Sequence, residues 1–407
     1  MSDYFVDGSD FFSIPTIEEE FEEKKNRLIK NMDFLKNLSV EENVFYRKYW
    51  EINQNYSGLS SRISSAKATI WTPTDIYNKE LTIKELTEIK PEVLFVDPEN
   101  SHLMKDWLML RIFCHTMEYD QNPGRFLRFL IIDTTTGKYL GATSVVSDVI
   151  SLGPREEYIG WTQDDKLKNG KLQNSAIGSC IMPTQPFGFN FIGGKLVACL
   201  TAGIVVQNKW KELYGQTLVG LTTTSLYGTG SMYDGMPKYW ASIGESAGKV
   251  AIKPDETEYE YWHSYIKSKF PDEYLEKMTQ KEGVSGPVTG AKQKAMQMIF
   301  KAVGIKSSDY QHGYKRGVYY ALIYKNGKEF LQSKITEDQL VKKDQWKTDS
   351  LIVEWWREKA IRRYEKLHSE NRLKPDILFY DKLEKTRYHE IEQYEDAKKI
   401  YFSEVGR

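Results

Sequence analysis

Apolar residues recur at helical spacing through the first quarter of the chain, with Phe21, Leu28, Met32 and Leu35 on one stripe. Thr16 with Glu19, Ser39 with Glu42 and Thr82 with Glu85 each have the spacing of a capping box, so residues 1–97 read as a helical lobe broken by a Ser-rich loop at 56–67. Leu103, Trp107, Leu110 and Cys114 predict a further helix over 98–117. At Gly124 the pattern changes to the β-branched and aromatic bias of strands. Residues 125–133 (RFLRFLIID), a Thr/Gly turn at 134–138 and a second extended run at 139–146 predict an antiparallel hairpin. Strands are also predicted at 158–161, 177–182 and 217–225. Between the last two, one helix over 193–213 turns Leu196, Leu200 and Ile204 to the core. Hairpin, strand, helix, strand is the order of an α+β or α/β core on one central sheet. Residues 259–269, 289–303 and 350–367 are again helical in pattern, 283–290 (GVSGPVTG) is a glycine-rich connector, and 313–324 reads as a strand mixing basic and aromatic side chains. The expected division is a helical lobe at 1–97, a core at 98–255 and a basic, mostly helical extension at 256–407.

Composition narrows the classes. The 407 residues hold 56 Lys and Arg against 57 Asp and Glu, a net charge of −1. That balance hides 12 basic against 19 acidic residues in 1–100 and 19 basic against 10 acidic in 285–374. The second block suits either a polyanion-binding surface or a pair of solvated Lys-rich helices. No apolar run is long enough for a membrane span and no secretory signal opens the chain, so a cytoplasmic protein without a membrane partner is expected. Cys114, Cys180 and Cys199 are dispersed, as are the six histidines, and neither a disulfide framework nor a metal site is expected. Phosphate-binding loops of the P-loop and Rossmann types, the nucleophile elbow and the H-E-x-x-H helix are all missing.

Two segments are dense in site-like residues. The first, 185–195 (QPFGFNFIGGK), leads from a strand into the predicted 193–213 helix. Gln185, Gly188, Asn190, Gly193, Gly194 and Lys195 could hold a phosphate or pyrophosphate at free helix N–H groups, or could be a glycine-tuned turn. The second, 222–248, places Ser225, Tyr227, Tyr233 and Asp234 at a strand end and in the glycine-bearing loop after it. A tyrosine hydroxyl there can relay a proton, and the aspartate can accept one from an amine. Trp161, Lys249, Lys315 and Arg316 are candidate nucleic-acid contacts, cations for phosphates and a ring for bases.

Taken in order, these segments resemble the DruA-like family, named for the first component of the Druantia anti-phage system. The resemblance rests on G-R-x-L-R-F-L-I-x-D and x-G-K-Y-L-G-A-T across 124–143, R-E-x-Y-I-G-W at 155–161, the Gly-Gly-Lys helix, T-x-S-L-Y-G at 223–228 and G-E-S-A-G-K at 244–249. It covers roughly residues 100–255, and H-G-Y-K-R-G-V-Y-Y-A at 312–321 is similar to the C-terminal extension of long phage-borne members. The same order is similar to the Mom family of phage DNA-modification proteins. That likeness implies an α+β fold of the N-acyltransferase (GNAT) type, a central mixed sheet with flanking helices, an acyl-CoA or related donor near 185–195, and transfer to the exocyclic amine of adenine in DNA. Mom-like proteins end a core strand with a Tyr/Asp motif followed by a G-[ST]-x-Y loop. The matching positions are 224–227 and Gly230, Ser231, Met232 and Tyr233. The strand-end aspartate has no counterpart; Ser225 or Tyr227 stands in its region and Asp234 lies just beyond the loop tyrosine. The resemblance thus implies either a DNA-modification enzyme serving restriction evasion or a non-catalytic DNA-binding, anti-phage or counter-defence module with protein partners.

Overall fold

A computed structural model describes residues 17–39, 41–43, 45–46, 68–115, 124–225, 231–246, 250–251, 256–279, 291–312, 314–375 and 394–405. In chain order the main elements are α1 (Ile17–Asn37), α2 (Lys79–Glu88), β1 (Pro91–Phe95), α3 (Ser101–Cys114), β2 (Phe126–Asp133), β3 (Lys138–Ser147), α4 (Gly153–Ile159) and β4 (Ser175–Pro183). Then follow α5 (Phe187–Asn190), α6 (Gly193–Thr201), α7 (Ile204–Tyr214), β5 (Gly220–Thr224), β6 (Ala241–Glu245), β7 (Val250–Ala251), α8 (Glu256–Lys269), α9 (Pro271–Met278), α10 (Ala291–Ala302), β8 (Gln311–His312), β9 (Gly317–Leu322) and α11 (Asp349–Ser369).

Two compact units share these elements. Residues 1–39 and 248–314 form one, with α1, α8, α9, α10 and the β7–β8 ribbon. Within it, Phe21 packs edge-on to Trp262 at 5.7 Å, and Arg27 pairs with the buried Glu258 at 2.8 Å. Residues 40–247 and 315–407 form the other, built on a seven-stranded sheet of order β1-β2-β3-β4-β5-β9-β6. The fold is α+β with a mixed sheet: β4 and β5 run parallel, and every other neighbouring pair in this sheet is antiparallel.

The sheet is covered on both faces, which explains why β2 is apolar on both faces apart from Arg128 and the terminal Asp133, rather than alternating. Leu127, Phe129 and Ile131 point into a core closed by α2, α6 and α11, where Leu86, Val197, Leu200 and Trp356 are buried. Leu130, with Ala142 of β3 and Met182 of β4, meets Trp107, Leu110 and Phe113 of α3 on the other face.

Several local expectations are corrected. Residues 91–95 are an edge strand, not helix. The N-cap of α2 is Asn78, whose side chain accepts from Leu81 N–H; Thr82 is buried inside the helix and donates to the Asp75 carbonyl. Residues 158–161 are not a strand, because Pro154 starts α4 and Gly160, at φ 74°, ends it in the left-handed conformation. The predicted 193–213 helix is two helices. A Cβ on Gly203 would lie 2.3 Å from Asp349 Oδ1, and that same oxygen accepts the Ile204 N–H at 2.8 Å, so Asp349 caps α7 and breaks the run. The strand 244–245 pairs with β9, whereas 247–249 lie outside the described residues.

Candidate functional site

The parallel strands β4 and β5 pair over only three positions, ending at Ile177 with Thr222, and both then continue without pairing to each other. Just beyond, β4 carries a bulge against β3: Val145 faces Gly178 and Ser144 faces Cys180, leaving Ser179 extra. Thr223 spans the gap from β5, its hydroxyl donating to the Gly178 carbonyl at 3.0 Å and lying 3.3 Å from the Tyr233 hydroxyl.

Residues 231–234 form a tight turn beside this junction, with Asp234 N–H donating to the Ser231 carbonyl at 3.1 Å. Asp234 Oδ2 accepts from Ser231 N–H at 2.8 Å, and Asp234 Oδ1 accepts from the Tyr319 hydroxyl of β9 at 2.7 Å. The rings of Tyr233 and Tyr319 lie 5.0 Å apart, and that of Trp240 lies 5.5 Å from Tyr233. Lys195, from the first turn of α6, donates to the carbonyls of Met232 and Asp234. The two segments singled out in the sequence therefore meet, joined by this lysine. Burial raises the Tyr233 and Tyr319 hydroxyls above the ordinary phenol value, Asp234 adding to the rise at Tyr319, and burial lowers the Lys195 ammonium. The phenols stay protonated at neutral pH, so Tyr319 acts as a hydrogen-bond donor that fixes the carboxylate. A partly exposed aspartate held by a phenol and backed by a cation can accept a proton from an incoming amine.

The remaining candidates fall elsewhere. Ser225 is buried where its N–H donates to the Gly317 carbonyl of β9. Tyr227 and Lys249 lie outside the described residues. Trp161 is 7% exposed and cannot be an open platform for a base; its ring N–H donates to Glu156 and the Arg155 guanidinium covers its face at 5.2 Å. Arg155 is itself wholly buried between Asp148 and Glu156, so the R-E-x-Y-I-G-W segment is a packed ion-pair network. Lys315 is 68% exposed, 3.7 Å from Glu245, and Arg316 joins β9 to Ser246 through its backbone.

The 185–195 segment is also filled from within. A Cβ on Gly193 would lie 2.2 Å from Phe187 Cδ1, one on Gly194 2.9 Å from Met232 Sδ, and one on Gly188 2.6 Å from Gln185 Nε2. Gln185 Oε1 accepts from Phe189 N–H at 2.9 Å, and the buried Asn190 exchanges hydrogen bonds with the Lys374 backbone. Protein side chains occupy the space the Cα faces of these glycines leave. Ile192 is held at φ 46°, a left-handed conformation costly for a β-branched residue, to bring the chain into this tight entry.

Sequence reasoning missed Tyr319, placed only in an aromatic and basic stretch, because its partner lies 85 residues earlier. It also missed that Lys195 reaches the Asp234 loop. Among the described residues no helix is long and apolar enough to cross a membrane.

Fold and site define an α+β protein whose mixed sheet carries a tyrosine–aspartate–lysine cluster at a parallel strand junction. The chain belongs to the DruA family: the family described as Druantia protein DruA matches residues 47–333. It is 24% identical over 230 residues to Druantia protein DruA of Escherichia coli (strain UMEA 4076-1), covering 52% of this chain and 54% of that protein. The chain thus spans about half the length of the curated relative it matches. No solved structure matches it.

Proposed function

We propose that the chain is a Mom-like DNA-modification transferase of a phage or mobile element, working in the bacterial cytoplasm on the exocyclic amine of adenine. The observation that supports this best is the convergence of Asp234, Tyr319 and Lys195 at the end of the parallel β4–β5 pair. Parallel pairing that stops after three positions beside a bulge in β4 is compatible with a GNAT-type sheet that splays to admit a donor. Adenine would be taken from single-stranded DNA or flipped out of a duplex, at a cost of a few kcal/mol. Its amine is a poor nucleophile because the lone pair is delocalised into the ring. Asp234 would accept the proton that the amine releases, Tyr319 would hold the carboxylate in place, and Lys195 would keep the turn around it closed. The amine nitrogen would bond to the transferred group as that group's bond to its carrier breaks, and the carrier, a thiolate in the case of an acyl-CoA, would leave with the bonding electrons.

A second reading has its own support: a DNA-binding module of the same family without chemistry, acting with protein partners in anti-phage defence or against it. The burial of Tyr233 and the internally satisfied 185–195 segment favour it. The E. coli relative's name associates that protein with Druantia. Mass spectrometry of nucleosides from DNA of expressing cells separates the two: the first reading expects a new adenosine species, and an unaltered profile under infection conditions leaves the second.

A further inference from the structure

Helix α11 carries many cations, and most are matched. Arg357 donates to the Ile89 carbonyl, Arg362 pairs with Glu358, and Lys366 and Arg372 both approach Glu370. One stripe differs. Lys359, Arg363 and, past the helix, Lys374 have no acidic partner among the described residues. Each lies over an aromatic ring instead: Lys359 is 5.5 Å from the centroid of Trp355, and Arg363 and Lys374 are 5.3 and 5.0 Å from that of Phe189. The Nε of Arg363 is buried without an acceptor. Lys195, half-buried, feels the like charge of Lys359. Cations gathered on one face with no counter-charge among the described residues repel one another, a cost that an anionic ligand would return.

The backbone beneath the stripe is held in place. Phe189 is fixed by its N–H to Gln185, and Lys374 by the paired hydrogen bonds of its backbone to Asn190. Trp355, Lys359 and Arg363 follow one another at four-residue spacing, so they share a face over about 12 Å of helix axis. That span exceeds one pyrophosphate, and interleaved rings and cations suit a strand whose bases are unstacked.

We propose that this stripe binds a single nucleic-acid strand, with Lys359, Arg363 and Lys374 on successive phosphates and Trp355 and Phe189 under bases once the cations turn from ring to phosphate. The proposal rests on the reading that the chain acts on nucleic acid, and adds where the strand lies. Its path ends near Lys195, which is bonded to the Asp234 loop, so a strand on it leads to the candidate centre.

The test is fluorescence anisotropy of the full chain with a labelled single-stranded oligonucleotide of about 12 residues. Combined Lys359→Gln, Arg363→Gln and Lys374→Gln substitution should weaken binding at least about tenfold at low salt and reduce the slope of log Kd against log salt by about 2. A control with Lys84→Gln, Lys168→Gln and Lys347→Gln should stay within about twofold of wild type. Phe189→Leu should weaken binding while leaving the salt slope unchanged. If wild type binds and the triple variant keeps its affinity and slope, this surface is wrong although the nucleic-acid reading stands; a wild type that binds only a duplex of the same sequence overturns the single-strand path, and one that binds neither sinks the nucleic-acid reading itself. If the triple variant loses binding of coenzyme A but keeps the oligonucleotide, the stripe serves a small donor and the proposal is overturned.

Discussion

Replacing Gly193 by alanine tests whether the glycines before α6 serve packing or a ligand. The added methyl would sit 2.2 Å from Cδ1 and 2.5 Å from Cε1 of Phe187. That ring is fully buried and boxed in by Trp71 at 5.6 Å, Trp356 at 5.3 Å and Phe191 at 6.4 Å, so it has no free direction in which to move. Overpacking of this kind costs about 1–3 kcal/mol, and the enclosed ring argues for the upper half of that range. Phe187→Leu alone should also destabilise, by leaving a cavity. In the double variant the methyl moves into the vacated space, so the combined loss should be smaller than the sum by about 1–2 kcal/mol. Urea unfolding followed by tryptophan fluorescence is well suited to the measurement, because Trp71 and Trp356 report on the affected pocket. The packing argument is refuted if Gly193→Ala is as stable as wild type, or if Phe187→Leu fails to offset its cost.

Other consequences follow from the same interior. Asp349→Ala removes the acceptor for the Ile204 N–H and should destabilise by about 1–2 kcal/mol on chemical denaturation, the usual range for a lost cap; a change near zero would mean that Gly203 alone ends α6. Arg155→Met leaves the buried Asp148 without its cation, while Glu156 keeps Lys166 at 2.8 Å, and should cost about 3–5 kcal/mol; a neutral result would show that the network is not closed as described. Burial pushes Asp148 up to about 6 against the pull of Arg155, so its proton is held more tightly in the folded state than in the unfolded one. The contribution of this group is therefore greatest below its unfolded pKa of about 4 and declines by about 3 kcal/mol as pH rises through about 6. The unfolding free energy of Asp148→Asn relative to wild type should rise by that amount over the window, and a flat difference contradicts the assignment.

How much was legible in the sequence depended on whether the deciding contact was local. The β2–β3 hairpin, β4, β5 and α3 were readable because strand bias and helical period are written in consecutive residues. The end of α4 at Gly160 reads as a strand from the apolar run Tyr158 to Trp161, although the bracketing Pro154 and Gly160 that make it a helix end stand in the chain. The break at Gly203 needs Asp349, 145 residues from its hydrogen-bond partner Ile204, to become decisive. The site divides in the same way. Tyr233 and Asp234 were nominated from their loop, whereas Tyr319 enters only through the pairing of β9 with β5, which no local pattern records. Gly193 and Gly194 carried the composition of a phosphate loop, and only the positions of Phe187 and Met232 reveal that packing uses them.

The central claim, that the Asp234–Tyr319 pair performs chemistry on DNA adenine, is tested most directly by nucleoside mass spectrometry of DNA from cells expressing wild type, Asp234→Asn or Tyr319→Phe. A general base typically contributes about 10²–10⁴-fold. Wild type should yield a modified adenosine that Asp234→Asn reduces by at least about a hundredfold and Tyr319→Phe by less, all three proteins being folded and equally abundant. Undiminished modification in Asp234→Asn would contradict the account.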